Sequence, residues 1–116
     1  MQKNHADLAF EYYTQVSGKK ADEIKKYLHP EVEFSSPLMT LKGRDAVVEA
    51  TRNFMKAFAT LKIRTKLQSD DQAMIVYDSA ISGISKSFPG ASLLSFRDGL
   101  IVKIELFFDA SGFHKK

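Results

Sequence analysis

With 116 residues the chain has the usual length of one domain with one hydrophobic core, and we expect residues 1–116 to form a single unit. Apolar residues make up 44% and charged residues 27%, which excludes a disordered chain. Cysteine is absent, which excludes disulfides, thiol catalysis and thiolate metal sites, while the net charge of +3 raises the question of nucleic acid. No apolar run approaches a bilayer span, so the composition predicts a cytoplasmic protein with no membrane partner.

The first predicted element is a helix over residues 4–17. Leu8, Tyr12 and Val16 recur at i, i+4 and i+8, which is the spacing of one helix face. Asn4 suits an N-terminal cap because its side-chain oxygen can accept from the free N–H groups of the first turn.

Two further helices are predicted, with a short strand between them. The second helix covers residues 21–28, and Pro30 ends it because proline disfavours helical geometry at His29. The short strand runs into Ser36, and the third helix covers residues 44–59. Its main apolar stripe consists of Val47, Thr51, Phe54 and Phe58.

After the third helix the apolar period changes from that of a helix to two, which is typical of strands. Four strands are predicted, over residues 61–68, 73–82, 91–97 and 100–109. Three helices followed by a run of antiparallel strands predict an α+β fold.

Alternation along the last three strands separates an inner face from an outer face. The predicted inner side chains are Ile75, Tyr77, Ser79, Ile81, Ser92, Leu94, Phe96, Val102, Ile104, Leu106 and Phe108. This mainly apolar set suits a small-molecule cavity, and it suits a filled core equally well. Met74, Val76, Leu93 and Phe107 fall on the outer face, where apolar residues predict a homodimer.

One strand carries a basic stripe. Lys62, Arg64 and Lys66 alternate with apolar residues as one strand face should, but no aromatic side chains interleave with them. We interpret the stripe as a solvated strand face and expect no nucleic-acid partner.

Three segments carry a resemblance to a known family: residues 29–34, with the sequence His-Pro-Glu-Val-Glu-Phe, residues 43–47, with Gly-Arg-Asp-Ala-Val, and the closing strand 101–109. In type, spacing and order they resemble the nuclear transport factor two-like superfamily, in its SnoaL-like and ketosteroid isomerase branch. The resemblance implies a cone-shaped fold, in which a strongly curved sheet wraps the long helix and encloses an apolar pocket, often in a homodimer. One such fold hosts many chemistries.

The resemblance and the alternation together predict a pocket for a small hydrophobic molecule and no cofactor. The predicted ligand-binding residues are Tyr12, Ser36, Phe54, Phe58, Tyr77, Ser79, Ser92, Leu94, Ile104, Leu106 and Phe108. Hydroxyl groups among them would orient a ligand without supplying a strong acid or base.

Ketosteroid isomerases use a tyrosine, an aspartate before a proline as general base, and a second acid on the sheet. By resemblance Tyr12 matches the tyrosine, whereas Ser36 is at the position of the general base and Ser92 is near the position of the second acid. Proton abstraction from carbon in that manner should therefore fail, because a serine with no adjacent base does not titrate near neutral pH.

Three residues remain as catalytic candidates for an isomerase, a cyclase or a hydrolase. Asp109 ends the last strand, Asp78 points outward unless a bulge turns it in, and His29 stands where a helix-capping role is the simpler interpretation. A further alternative is an assembly or adaptor module that works through the outer sheet face. A metal site is not expected, because the three histidines show no ligand spacing.

Overall fold

A computed structural model of the chain describes residues 4–81 and 85–108, and for residues 58, 59, 81 and 85–88 it describes the backbone only. The predicted inner residue Ile81 and the predicted pocket residue Phe58 are therefore described in their backbone only. Asp109 lies outside the described residues.

Three helices occupy the first half of the chain, as predicted: α1 is His5–Ser17, α2 is Ala21–Ile24 and α3 is Arg44–Ala57. The predicted cap of α1 is confirmed, because the Asn4 Oδ1 accepts the N–H of Asp7 at 2.8 Å. Within the described ranges, no helix is both long and apolar enough to cross a membrane.

The second helix is shorter than predicted. It tightens to a 3-10 turn at Lys25–Tyr27, and the chain is already extended at Leu28. Leu28 is 1% exposed and pairs with Ile101 in the sheet, so burial in a strand ends the helix before Pro30 can do so.

Six strands form one sheet in the order β2-β1-β6-β5-β4-β3. Their bounds are Leu28–Ser35 for β1, Thr40–Lys42 for β2, Phe58–Ser69 for β3, Gln72–Ile81 for β4, Ser85–Arg97 for β5 and Leu100–Phe108 for β6. The predicted antiparallel run is confirmed for β3 to β6. The parallel pairing of β1 with β6 and the short strand β2 were not predicted.

The sheet remains open, which corrects the expectation of a strongly curved cone. The strands β2 and β3 stand at its two ends, and it neither closes nor curls strongly. Register shifts at Ile63/Thr65 and Ser95/Phe96 disturb individual strands without bringing the two ends together. The fold is α+β, with α1 packed on β3 and β4 and α3 packed on β1.

The inner face predicted for β4 and β5 is confirmed. Of the predicted inner residues whose side chains are described, Ile75, Tyr77, Ser79, Ser92, Leu94 and Phe96 are all buried. In β6 the prediction for Val102 is wrong. The pairing of β5 with β6 shifts register between Ser95 and Phe96, so that Phe96 is opposite Ile101. Ile101, which is 1% exposed, therefore takes the core position in place of Val102.

The basic stripe of β3 is split between two faces. Lys62 lies opposite Asp78 on the outer face, and the Arg64 Nε is 3.7 Å from the Asp78 Oδ2. Beyond the register shift at Arg64, Lys66 turns to the helical side, where its Nζ is 2.7 Å from the Asp7 Oδ1. Arg64 and Lys66 are thus within ion-pair distance of carboxylates, and the single basic face that alternation indicated does not form.

Candidate functional site

A cavity of about 380 Å³ lies between α1, α3 and the inner face of the sheet. This volume is within the range of small-molecule sites. The side chains that line it, here called the cavity wall, are Tyr12, Tyr13, Val16, Phe34, Ser36, Leu38, Met39, Ala50, Thr51, Phe54, Lys56, Ala57, Tyr77, Ser79, Ile104, Leu106 and Phe108.

The periodicity of each element explains how these residues meet. Ala50, Thr51, Phe54 and Ala57 follow one face of α3 at helical spacing, and the three wall residues of α1 do the same. The wall residues of β4 and β6 are two apart along each strand, so they point to the same side of the sheet. Four wall residues are also exposed to solvent and define the mouth of the cavity: Leu38, Met39, Lys56 and Ala57.

Most of the predicted ligand-binding residues lie on the cavity wall. These are Tyr12, Ser36, Phe54, Tyr77, Ser79, Ile104, Leu106 and Phe108. Ser92 and Leu94 are not among the residues that line the cavity. Both are 0% exposed, because Leu94 pairs with Ile104 in the core and Ser92 lies in the row between Ile75 and Leu106.

A buried group of tyrosine and serine hydroxyls lies at the inner end of the cavity. The Tyr13 hydroxyl and the Ser92 Oγ share a hydrogen bond, and Ser92 also bonds the Tyr77 hydroxyl. The rings of Tyr13 and Tyr77 stack with centroids 5.5 Å apart, and the Tyr12 ring meets Tyr13 edge-on at 5.2 Å. Sequence reasoning missed Tyr13 as a site residue, although its place beside Tyr12 on the inner edge of α1 was a usable signal.

Burial keeps these three phenols neutral. It raises the pKa of Tyr12 to about 12, against a smaller opposing effect of the hydrogen bond to Thr51. Burial also raises the pKa of Tyr13 well above its ordinary value, with additional contributions from Tyr77 and Tyr12. The pKa of Tyr77 rises for the same main reason, opposed by the hydrogen bond to Ser92. At neutral pH the hydroxyls are protonated and engaged with Thr51 and Ser92, so they add polar groups to the cavity without acting as bases.

Gly90 leaves room for the Tyr77 ring. The two residues are directly opposite each other on β5 and β4. A Cβ atom on Gly90 would stand 3.2 Å from both the Cζ and the hydroxyl oxygen of Tyr77, which is tighter than ordinary contacts. The position of Tyr77 on the wall therefore depends on a glycine at this point of β5.

Ser36 forms hydrogen bonds within the turn that follows it. Its Oγ accepts the N–H groups of Leu38 at 3.1 Å and Met39 at 3.2 Å, and its N–H donates to the Met39 carbonyl at 2.9 Å. The serine that replaces the expected catalytic acid thus fixes the turn between β1 and β2. It holds two exposed apolar side chains at the mouth of the cavity.

Two of the predicted catalytic residues, Asp78 and His29, lie off the cavity wall. Asp78 is on the outer face beside Arg64, as unshifted alternation required, and is not part of the wall. His29 is also away from the wall, and its Nδ1 accepts the N–H of Glu31 at 3.0 Å rather than capping a helix. A role for Asp109 stays a prediction. Among the described residues, no three His, Cys, Asp or Glu side chains are placed to hold a metal.

Both the sequence and the fold of this chain are similar to those of known proteins. The sequence pattern of the SnoaL-like domain matches residues 9–104. No curated protein matches the chain. The fold is similar to that of an NTF2-like protein of unknown function from Cytophaga hutchinsonii, with a TM-score of 0.84 and 18% identity over 99% of this chain and 98% of that one.

Two solved structures of named enzymes share the fold. A steroid delta-isomerase from Pseudomonas aeruginosa has a TM-score of 0.79 and 18% identity, over 94% of this chain and 82% of that one. An epoxide hydrolase of the LEH-like type from M. tuberculosis has a TM-score of 0.76 and 12% identity, over 90% of this chain and 82% of that one. At such identities the likeness concerns the fold alone.

Proposed function

We propose that this chain binds a small hydrophobic molecule in its cavity. The premise is that the chain belongs to the SnoaL-like domain family, within the nuclear transport factor two-like superfamily. The observation that carries the proposal is the chemical character of the wall. Apart from hydroxyl groups and Lys56, the described wall is apolar and aromatic, around a volume of about 380 Å³. Such a surface favours burial of an apolar ligand.

The hydroxyl groups support binding rather than proton transfer. Tyr12, Tyr13 and Tyr77 are neutral, and no carboxylate or imidazole is present on the described wall. A neutral hydroxyl in an apolar wall can orient a polar group of a ligand without abstracting a proton from it.

An isomerase, cyclase or hydrolase is the alternative. It rests on Asp109, which follows the wall residue Phe108 in the sequence. Turnover of a steroid or epoxide that disappears in Asp109→Asn would favour this alternative over simple binding.

Binding can be tested with a neutral fluorescent probe, N-phenyl-1-naphthylamine, whose emission rises in apolar surroundings. Ala50→Phe places a ring in the cavity from α3 and should weaken binding at least tenfold, because it fills the space that the probe requires. Ala46→Phe is the matched control, since Ala46 is exposed on the same helix and is not part of the wall.

Two outcomes of the probe experiment would contradict binding in the cavity. If the native chain does not bind the probe, or if both alanine variants bind it equally, the cavity is not the binding site. Circular dichroism of both variants establishes that they are folded. Native mass spectrometry of the purified chain then identifies any ligand retained from the cell.

We also propose that the chain forms a homodimer through the outer face of its sheet. Cross-strand pairs place Leu67, Met74 and Leu93 in one row, and Val76, Ala91 and Phe107 in the next row. Leu67 is 57% and Phe107 49% exposed, so a partner surface would remove them from water. We further propose that the chain is a single cytoplasmic unit without a nucleic-acid partner, and the split of the basic stripe supports the last of these points.

Dimerisation is tested by Phe107→Glu, which introduces a charge on that surface and should yield a monomer in light scattering. Phe10→Glu is the control, because Phe10 is 40% exposed but lies on α1. A native chain that is monomeric at every concentration would contradict the proposal.

A further inference from the structure

Lys56 is the one cationic side chain on the described cavity wall. It belongs to the last turn of α3 and is exposed at the mouth. Within the described residues it forms no ion pair, whereas Arg52, one turn earlier, has its Nε 3.6 Å from the Glu49 Oε1 and its Nη2 4.0 Å from the Asp22 Oδ1. The Lys56 ammonium is therefore available to a group that enters the cavity.

The polarity of the wall changes from its inner end to its mouth. The inner end holds Tyr12, Tyr13 and Tyr77, which are 2%, 6% and 3% exposed. The mouth carries Lys56 together with the apolar side chains of Leu38, 42% exposed, and Met39, 48% exposed. A bound molecule would thus have most of its surface against apolar and aromatic groups, and one end beside a positive charge.

Resting on the proposed binding function, we infer that the ligand is an amphipathic anion. Its apolar body occupies the cavity, and a carboxylate or similar acidic group stands at the mouth beside Lys56. No carboxylate on the described wall competes with the ligand for the ammonium. Because the contact is exposed to water, it adds selectivity for charge while the apolar body supplies most of the affinity.

Two probes with the same ring system separate charge from apolar binding. Anilinonaphthalene-8-sulfonate carries a sulfonate, and N-phenyl-1-naphthylamine lacks it. Lys56→Gln should weaken binding of the sulfonate about two- to fivefold, as expected for an exposed ion pair, and weaken binding of the neutral probe by less. Lys25→Gln is the matched control, because Lys25 is exposed, carries the same charge and is not part of the wall.

A carboxylate ligand is tested by displacement of the neutral probe. Dodecanoate should displace it at lower concentration than dodecanol from the native chain and from Lys25→Gln, and this preference should shrink in Lys56→Gln. High salt should also reduce the preference, because it screens exposed charges.

The outcomes distinguish the inference from the function on which it rests. If neither naphthalene probe binds the native chain, the proposed function fails and the inference fails with it. If both bind but Lys56→Gln and Lys25→Gln behave alike, the binding function stands and the anionic ligand is overturned.

Discussion

At the scale of single residues, the most informative position is Ser92. It is 0% exposed in a row of the inner face between Ile75 and Leu106. A buried hydroxyl requires a hydrogen-bond partner, and Ser92 finds one in the Tyr13 hydroxyl above the sheet. The alternation of β5 correctly turned Ser92 inward, but it could not show that a helix residue would cover it.

Ser92→Ala should lower the free energy of unfolding by about 1–3 kcal/mol, because it deprives the buried Tyr13 and Tyr77 hydroxyls of the partner that they share. Urea denaturation measures this change. In the double variant Tyr13→Phe/Ser92→Ala, both polar partners are gone, so the loss should be smaller than the sum of the two single losses. Strict additivity would show that the hydrogen bond contributes nothing.

At the scale of elements, the turn between β1 and β2 connects the fold to the mouth of the cavity. Ser36 accepts two backbone N–H groups there, from Leu38 and Met39. The position that suggested a lost catalytic acid is therefore a structural position in this chain. The turn that was expected to carry a catalytic residue instead shapes the mouth of the cavity.

Replacing Ser36 tests this interpretation. Ser36→Ala removes the acceptor for both N–H groups and should lower the free energy of unfolding by about 0.5–1.5 kcal/mol. Ser35→Ala, one residue earlier and half-buried, is the control, and it should change stability less. Equal losses in urea denaturation would contradict the role of the Ser36 side chain.

Ser36→Asp should keep the turn, since a carboxylate can accept the same two N–H groups. Those bonds would lower the pKa of the new carboxyl and make it a weak base. We therefore expect no isomerisation of an unsaturated ketosteroid in a spectrophotometric assay. Measurable turnover would show that the remaining wall is already suited to that reaction.

At the scale of the whole molecule, the buried tyrosines connect stability to alkaline pH. The pKa of Tyr12 is about 12 in the folded chain and 10.0 in its reference state. Between these values the folded chain holds a proton that the unfolded chain has lost, so the free energy of unfolding falls as pH rises. The contribution of the protonated Tyr12 hydroxyl to the free energy of unfolding is roughly 3 kcal/mol. It is fully present below pH 10 and is lost as the pH rises to about 12.

Chemical denaturation across this pH range should show a shallower fall for Tyr12→Phe than for the native chain. Tyr27→Phe is the control, because Tyr27 is only partly buried and its hydroxyl donates to the Glu11 Oε1 at 3.3 Å. Parallel curves for the native chain and Tyr12→Phe would contradict the raised pKa.

The sequence by itself determined the features that depend on neighbours along the chain. Helical spacing and the Asn4 cap predicted α1, and period-two alternation predicted the buried faces of β4 and β5. It also placed residues such as Tyr12 and Tyr77 on the side where the cavity lies. These features follow from local geometry, since each residue's direction is set by the period of its own element.

Only the tertiary structure decided the features that depend on contacts between distant segments. The parallel pairing of β1 with β6, the exchange of Val102 for Ile101 and the turning of Lys66 to the helical side all follow from cross-strand register. A bulge adds one residue to one strand of a pair, so alternation within a strand cannot reveal where it falls. The open sheet and the position of Lys56 at the mouth are consequences of the same long-range packing.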